Sequence, residues 1–321
     1  MLDQRLLQTQ FAQDVIQGLS AYPKYLSSRY FYDAKGSEIF RQIMRMESYY
    51  LTDCEYEIFE QQKEDLLRAF LEPGGPFSLV EFGAGDGLKT QILLKHFLAR
   101  GIEFAYWPID ISADALQKLE LELNSKFPEL VVEGYPFEYF EAMKRMNLDE
   151  GNRKVVFFLG SNIGNFTESQ AIKFLGKIAQ ELEEDDRLLI GFDQKKDPNI
   201  ILNAYDDPEG ITREFNLNLL RRMNRELGAD FDINKWRHFP NYDPRSGETK
   251  SYLISTEKQS VFFKELGQQF EFDAWEPIWL ELSQKYDLRM IEYLAEKSGF
   301  EVIHNFYDSQ SYYVNSLWKL A

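Results

Sequence analysis

The chain has 321 residues, 44% of them hydrophobic, and its 36 basic and 53 acidic side chains give a net charge of −17. So acidic a chain lacks the basic footprint that phosphates require, which sets nucleic acid and anionic membranes aside as partners. The single cysteine, Cys54, excludes an internal disulfide and a multi-cysteine zinc site; His96, His238 and His304 show no ligand spacing, so no metal is expected.

The N-terminal run MLDQRLLQTQFAQDV carries early acids and no long apolar stretch. Neither a signal peptide nor a membrane anchor is expected, and the reading is of a cytoplasmic protein. Ile39, Phe40, Ile43 and Met44 recur at helical spacing within 36–46, and 53–67 is a second, charged amphipathic stretch. Between them lies the aromatic connection Ser48-Tyr49-Tyr50-Leu51-Thr52. Pro73-Gly74-Gly75-Pro76 then breaks the chain ahead of a first strand.

That strand runs into LVEFGAGDGLKT, residues 79–90: an apolar strand, the acid Glu81, then Gly83, Gly85 and Gly87 at every second position. Glycines let the backbone turn sharply and let a ligand lie on the main chain. Ile92, Leu93, His96 and Phe97 follow at helical spacing, so the unit is strand, turn, helix. A dinucleotide fingerprint needs G-x-G-x-x-G. Here the third glycine comes one residue early and Leu88 takes its place, which disfavours a dehydrogenase.

Strand and helix then alternate. A strand over 104–109 ends at Asp110, and Ser112 can cap the next helix. A short strand over 130–132 follows, then the apolar run 155–159 ending in Gly160-Ser161-Asn162-Ile163-Gly164-Asn165. Thr167 and Gln170 form a capping box, and 187–192 is a fifth strand ending at Asp193. Such alternation predicts a doubly wound parallel sheet with ligands at the carboxyl ends of its strands. It stops between about 198 and 286, where a helix over 212–227, a polar turn region over 241–248 and strand-like stretches over 250–255 and 279–283 suggest an inserted lobe. A helix over 288–298, closed by Gly299, and strands over 300–307 and 312–320 resume the core.

The E-x-G-x-G-x-G turn resembles motif I of class I S-adenosylmethionine-dependent methyltransferases. Several further stretches, in family order, resemble the L-histidine Nα-methyltransferase family of ergothioneine biosynthesis. They are Phe31-Tyr32-Asp33-Ala34-Lys35-Gly36-Ser37, Ser48-Tyr49-Tyr50, the glycine turn with Lys89-Thr90, and Phe158-Leu159-Gly160-Ser161-Asn162-Ile163-Gly164-Asn165. In the lobe come Ala204-Tyr205-Asp206-Asp207-Pro208-Glu209-Gly210-Ile211-Thr212, Asn224-Arg225-Glu226-Leu227-Gly228-Ala229-Asp230-Phe231 and Glu281-Leu282-Ser283-Gln284-Lys285-Tyr286. The glycine turn is shared by many methyltransferases; the lobe motifs are far more diagnostic.

The resemblance implies an α/β, class I, Rossmann-like doubly wound sheet with an inserted α+β substrate-binding lobe. The core is expected over 61–197 and 287–321, the substrate-binding part over 1–60 and 198–286. The implied activity is methyl transfer from S-adenosylmethionine to the α-amino group of L-histidine, up to the trimethylated betaine hercynine. A monomer acting on a small amino acid is expected. On the cofactor side the resemblance implies Glu81, Gly83, Gly85, Gly87, Lys89 toward the cofactor carboxylate, and Asp110 toward both ribose hydroxyls. On the substrate side it implies Glu281 and Ser283 on the imidazole, Asn165 and Tyr205 on the α-carboxylate or amine, and Tyr49 and Tyr32 closing the pocket. Tyr32 and Asn165 take the catalytic positions.

Each residue also has a plainer reading. Tyr32 and Tyr49 could be core aromatics, Asn165 a helix cap, Asp193 a turn residue, Lys89 a surface residue, and the histidines and Cys54 structural. The chain departs from the family where Leu51 and Asp53 follow the paired tyrosines, and where Ser251 stands in place of a pocket methionine. Gly134-Tyr135-Pro136 stands where an acid near the adenine is usual. These departures leave open another aromatic amino acid such as tryptophan, or a derivative, as substrate. A module that binds the cofactor without catalysis would instead show a damaged glycine turn.

Overall fold

The computed structural model describes residues 9–72, 74–146 and 153–321. Of the stretches read above, Met1–Gln8 and Pro73 lie outside the described residues. Thr9 accepts from the Ala12 N–H (3.3 Å) to open α1 (Gln10–Ser20), and Asp33 accepts from the Gly36 N–H (2.7 Å) to open α2 (Ala34–Ile43). The long α3 (Tyr50–Leu71) follows, then β1 (Phe77–Phe82), α4 (Thr90–Ala99), β2 (Phe104–Ile109) and α5 (Ala113–Lys126). Next come β3 (Val131–Val132), α6 (Tyr139–Met146), β4 (Arg153–Phe158), α7 (Glu168–Ala179) and β5 (Arg187–Asp193). Ser112 caps α5 and the Thr167/Gln170 capping box opens α7, both as expected from the sequence.

After β5 come α8 (Pro198–Tyr205) and α9 (Ile211–Leu227), then β6 (Trp236–Asp243), β7 (Glu248–Ser255), β8 (Gln259–Phe263), β9 (Gln268–Phe272) and β10 (Pro277–Gln284). The chain ends with α10 (Leu288–Ser298), β11 (Phe300–Tyr307) and β12 (Tyr313–Leu320), and Gly299 closes α10 at a left-handed φ of 88°.

Contacts divide the chain into two compact units: the described residues up to Tyr50 with Lys196–Ser283, and Leu51–Lys195 with Gln284–Ala321. The first cut therefore falls ten residues before the expected boundary at 60. The reason is α3, whose Phe59 and Phe70 rings pack on Phe157 of β4 (6.3 and 5.7 Å between centroids), which ties 51–60 to the core sheet.

The core unit holds one seven-stranded sheet in the order β11-β12-β5-β4-β1-β2-β3. Strands β1 to β5 pair in parallel; β12 runs antiparallel to both β5 and β11, forming the terminal hairpin. Every residue of β1 and β5 is buried, as the near-continuous apolar runs of a doubly covered parallel sheet require. Strand order reverses between β1 and β4, so the ligand crevice of such a sheet opens beyond their carboxyl ends.

The second unit has a separate core, with α1, α2 and α9 packed on the three-stranded sheet β10-β7-β6 and the hairpin β8-β9. Strand β6 and the β8-β9 hairpin were not anticipated. Pro240 sits inside β6, which is tolerated because β6 is an edge strand and the proline N has no ladder bond to give. Among the described residues no helix is long and apolar enough to cross a membrane.

Candidate active site

At the end of β1 the chain turns on three glycines with φ of 69°, 58° and 63° at Gly83, Gly85 and Gly87. The turn is held by Gly83 N–H on the Ile109 carbonyl (2.8 Å) and Gly87 N–H on the Ala84 carbonyl (2.9 Å). A Cβ on Gly87 would lie 2.8 Å from Leu119 Cδ1, and one on Gly83 3.3 Å from the Tyr139 hydroxyl. At Gly85 an added Cβ would meet nothing nearer than 4.0 Å, so that part of the turn presents bare backbone to a ligand.

Behind the turn lies a charged network. Lys89, at the N-cap of α4, pairs with Glu55 of α3, whose side chain is fully buried. Burial alone would lower the Lys89 ammonium; the field of Glu55 reverses this and raises it. Lys89 is thus a partly buried, ion-paired side chain, not a free surface lysine. Glu81, also buried, accepts from the Tyr106 hydroxyl at 2.5 Å. Desolvation outweighs that bond and pushes the Glu81 carboxyl up to about 7.

Glu81 gives a testable pH dependence. An unfolded glutamate ionises near 4.5, so between about 4.5 and 7 the folded chain holds a proton that the unfolded chain has released. This group therefore withdraws stability as pH rises through that window. Thermal melts are expected to show Glu81→Gln more stable than the parent at pH 8 and nearly equal to it at pH 4. Equal Tm differences at both pH values would rule this out.

Asp110 follows β2, is partly exposed, and accepts from the Ser112 N–H (2.9 Å). Beside it the Asp110 N–H donates to the Tyr135 carbonyl (3.4 Å), and the Tyr135 N–H donates to Pro108 (2.9 Å). The unassigned stretch around Tyr135 thus runs along the carboxyl end of β2. Tyr139 stacks on Phe82 at 4.7 Å and 3° and is pushed up to about 12, by burial first and then by Asp110 and Glu138. Tyr139, with its hydroxyl against Gly83, borders the glycine turn and was not singled out from the sequence.

At the end of β4, Gly160 and Ser161 are both left-handed (φ 70° and 56°). A serine there is unusual and strained. It is held by its hydroxyl, which accepts from the Asp193 N–H at 3.1 Å. Asn165 ends the short 3₁₀ turn Asn162–Asn165 and is exposed. It does not cap α7, since Thr167 is that cap. Asp193 forms an ion pair with Lys285 (2.8 Å) in which both side chains are fully buried, in place of the expected turn role.

The second unit gathers the other expected residues. The Tyr205 hydroxyl, at the end of α8, donates to Ser283 Oγ (2.7 Å) on β10. Glu281 lies two residues before Ser283 on the same strand, hence on the same face, and is partly exposed. Tyr32 is 47% exposed as a residue; desolvation at its hydroxyl, then the negative field of Glu281 and of Tyr205, raises that hydroxyl, which places Tyr32 within electrostatic reach of both. Tyr49 packs against Phe40 (6.3 Å) and belongs with Tyr50 and Tyr242 to the cluster around Tyr205. Tyr32, Tyr49, Tyr205, Glu281 and Ser283 are thus brought together in one unit, while Asn165 and the cofactor-type residues belong to the other.

The same unit holds unpaired buried polar atoms. His238 Nε2 meets the Tyr205 carbonyl (2.9 Å), but His238 Nδ1, Thr249 Oγ1 and Ser251 Oγ have no hydrogen-bond partner among the described residues. In register, Pro240 faces Ser251 and Tyr242 faces Thr249, so all three orphan atoms lie on one face of the β6-β7 hairpin. Asp207 is different. Burial opposes its charge, yet Thr212, whose N–H donates at 2.8 Å, and the Ile211 N–H at 2.7 Å prevail and hold its carboxyl below the usual range. It fixes the start of α9 behind Tyr205.

A parallel sheet reversed between β1 and β4, finished by an antiparallel pair, with a glycine turn and a strand-end acid at the reversal, defines a class I S-adenosylmethionine-dependent methyltransferase. The chain belongs to the family described as "Histidine-specific methyltransferase, SAM-dependent", whose profile matches residues 11–320. It is 32% identical over 292 residues to the "Histidine N-alpha-methyltransferase" of Mycolicibacterium smegmatis, covering 91% of this chain and 89% of that one. It is 33% identical over 274 residues to the protein of the same name from Mycobacterium tuberculosis, covering 85% and 84%. A third relative, "Ergothioneine biosynthesis protein 1" of Schizosaccharomyces pombe, is 30% identical over 287 residues, which make up 88% of this chain and 37% of that larger protein.

Proposed function

We propose that this chain methylates the α-amino nitrogen of L-histidine with S-adenosylmethionine, up to the trimethylated betaine of the ergothioneine pathway. The observation that carries the substrate is the grouping of Glu281, Ser283, Tyr205 and Tyr32 in one unit. Glu281 accepts from one imidazole nitrogen. Ser283, which already accepts from Tyr205, donates to the other. Such a pair reads both ring nitrogens and selects one neutral tautomer.

S-adenosylmethionine supplies a methyl group on a sulfonium, which leaves as a thioether. The amine lone pair forms the C–N bond as the C–S bond breaks, so the reaction needs an aligned, neutral amine and no metal. The ammonium formed then loses a proton before the next round; after the third transfer no proton is left to lose. Tyr32, whose hydroxyl is raised above the ordinary phenol value, stays a neutral phenol at physiological pH. Its role is to orient the amine by hydrogen bonding, and Asn165 serves the carboxylate or amine. Gly83, Gly85 and Gly87 seat the methionyl part, Lys89 meets its carboxylate, Asp110 takes the ribose hydroxyls, and Glu81 fixes the turn from beneath. The segment at Tyr135 and the Tyr139 ring line the adenine side. The same reading has the chain act as a cytoplasmic monomer on a free amino acid.

A second reading, methylation of tryptophan or a derivative, is favoured by Ser251, which is small where a methionine is usual in the family. An indole offers only one donor and leaves Glu281 poorly used. Competition among all common amino acids for the enzyme and S-adenosylmethionine, read by mass spectrometry of the methylated products, separates the two. Histidine is expected to dominate; turnover of tryptophan alone would replace this reading with the second.

Ser251 supplies a further check. Its unpaired hydroxyl is 1% exposed, and an unmet buried polar group costs about 1–3 kcal/mol. If the substrate uses it, Ser251→Ala is expected to raise KM several-fold without lowering Tm. An unchanged KM with a raised Tm would assign it no part in binding.

A further inference from the structure

Glu55 is a fully buried carboxylate that the motifs read from the sequence do not include. An isolated buried charge costs several kcal/mol, so its surroundings must be arranged for it. They are. Both of its oxygens lie 3.2 Å from the Gly160 N–H, the Tyr313 hydroxyl donates at 3.1 Å, and Lys89 closes the ion pair. Room is made for it in the middle of β5, where a Cβ on Gly191 would lie 2.8 Å from Glu55 Oε1 and 2.2 Å from the Tyr313 hydroxyl. One carboxylate thus joins α3, the start of α4, the left-handed end of β4 and the start of β12, all within the core unit.

Two of these partners border the crevice at the strand reversal. Lys89 follows the glycine turn after β1, and Gly160 follows β4; a Cβ on Gly160 would lie 3.9 Å from Lys89 Nζ. A lysine on its own would be flexible there and, being desolvated, prone to lose its proton. We propose that Glu55 is a positioning residue for the cofactor: it keeps Lys89 charged and fixed beside Gly160, ready for a carboxylate. This rests on the reading of Lys89 as the partner of the cofactor carboxylate. Glu55 acts through Lys89 and does not itself touch the cofactor.

A double-mutant cycle read by calorimetric binding of S-adenosylhomocysteine tests this. Lys89→Met and Glu55→Gln are each expected to weaken binding at least 10-fold, and the double variant to be no weaker than the weaker single one. Methyl transfer should suffer in the KM for S-adenosylmethionine rather than in kcat. Losses that multiply in the double variant would show Glu55 acting independently of Lys89 and overturn the inference alone. Unchanged binding in Lys89→Met would remove the reading of Lys89, and the inference with it. Should Glu55→Gln not fold, Glu55→Asp keeps the charge but withdraws it by one methylene. Weaker S-adenosylhomocysteine binding at an unchanged Tm supports the inference, and unchanged binding overturns it.

Discussion

Glu281→Ala is expected to lower kcat/KM for histidine by about 100-fold, equivalent to about 2.8 kcal/mol of lost transition-state stabilisation. A hydrogen bond to a charged group contributes about 1.5–3 kcal/mol, and on the proposed reading the loss also takes the acceptor from an imidazole N–H. The effect should reside in the substrate and spare the cofactor, because Glu281 and the glycine turn belong to different units. S-adenosylhomocysteine affinity in Glu281→Ala is therefore expected to equal that of the parent. Glu281→Gln should recover only part of the loss, since the amide accepts a hydrogen bond without the charge. Steady-state kinetics with histidine, alongside calorimetry with S-adenosylhomocysteine, makes the comparison; a loss below about 3-fold would take the imidazole away from Glu281.

Lys285→Met is expected to be strongly destabilising, costing about 3–5 kcal/mol, because it removes the cation from beside the Asp193 carboxylate in a site with no exposure. Around that pair the Tyr286 N–H donates to the Asp193 carbonyl and the Lys195 N–H to the Tyr286 carbonyl, both at 2.8 Å. The charge therefore sits where the chain leaves β5 and returns after β10. Removing both charges together, Lys285→Met with Asp193→Leu, should cost less than Lys285→Met alone, since no orphan charge remains. Urea denaturation midpoints for the three variants test this. A double variant as unstable as the sum of its singles would mean that the pair is not the determinant.

The core was legible from the sequence because its elements repeat a simple rule: apolar strand, turn, capped helix. Phe104–Ile109, Leu288–Ser298 and Phe300–Tyr307 fall where periodicity and capping put them. The inserted unit was only half legible. Strand β6 carries Arg237, Asn241 and a proline, and the β8-β9 hairpin alternates buried Val261, Phe263, Phe270 and Phe272 with exposed neighbours, Phe262 among them, over runs of only five residues. Short amphipathic strands of this kind give a weak signal unless their pairing is known.

The site divides in the same way. Gly83, Gly85, Gly87 and Asp110 announce themselves through spacing at strand ends. Glu281, Ser283 and Tyr205 could be grouped only through resemblance, since Tyr205 and Ser283 are 78 positions apart and meet through tertiary packing. Glu55 and Tyr139 were missed for a physical reason. A single acid on an amphipathic helix looks like a solvated face, and a tyrosine at a helix start looks like core; only the fold shows Glu55 buried under Lys89 and Tyr139 against Gly83. Lys285 stood inside a quoted motif, but its partner Asp193 had no sequence signal beyond its place at a strand end.

The most direct measurement is mass spectrometry, with fragmentation, of L-histidine incubated with the protein and excess S-adenosylmethionine. The account predicts stepwise gain of up to three methyl groups, all on the α-nitrogen, and their loss on Glu281→Ala. Methylation on an imidazole nitrogen, or an unmodified histidine beside a methylated tryptophan, would contradict it.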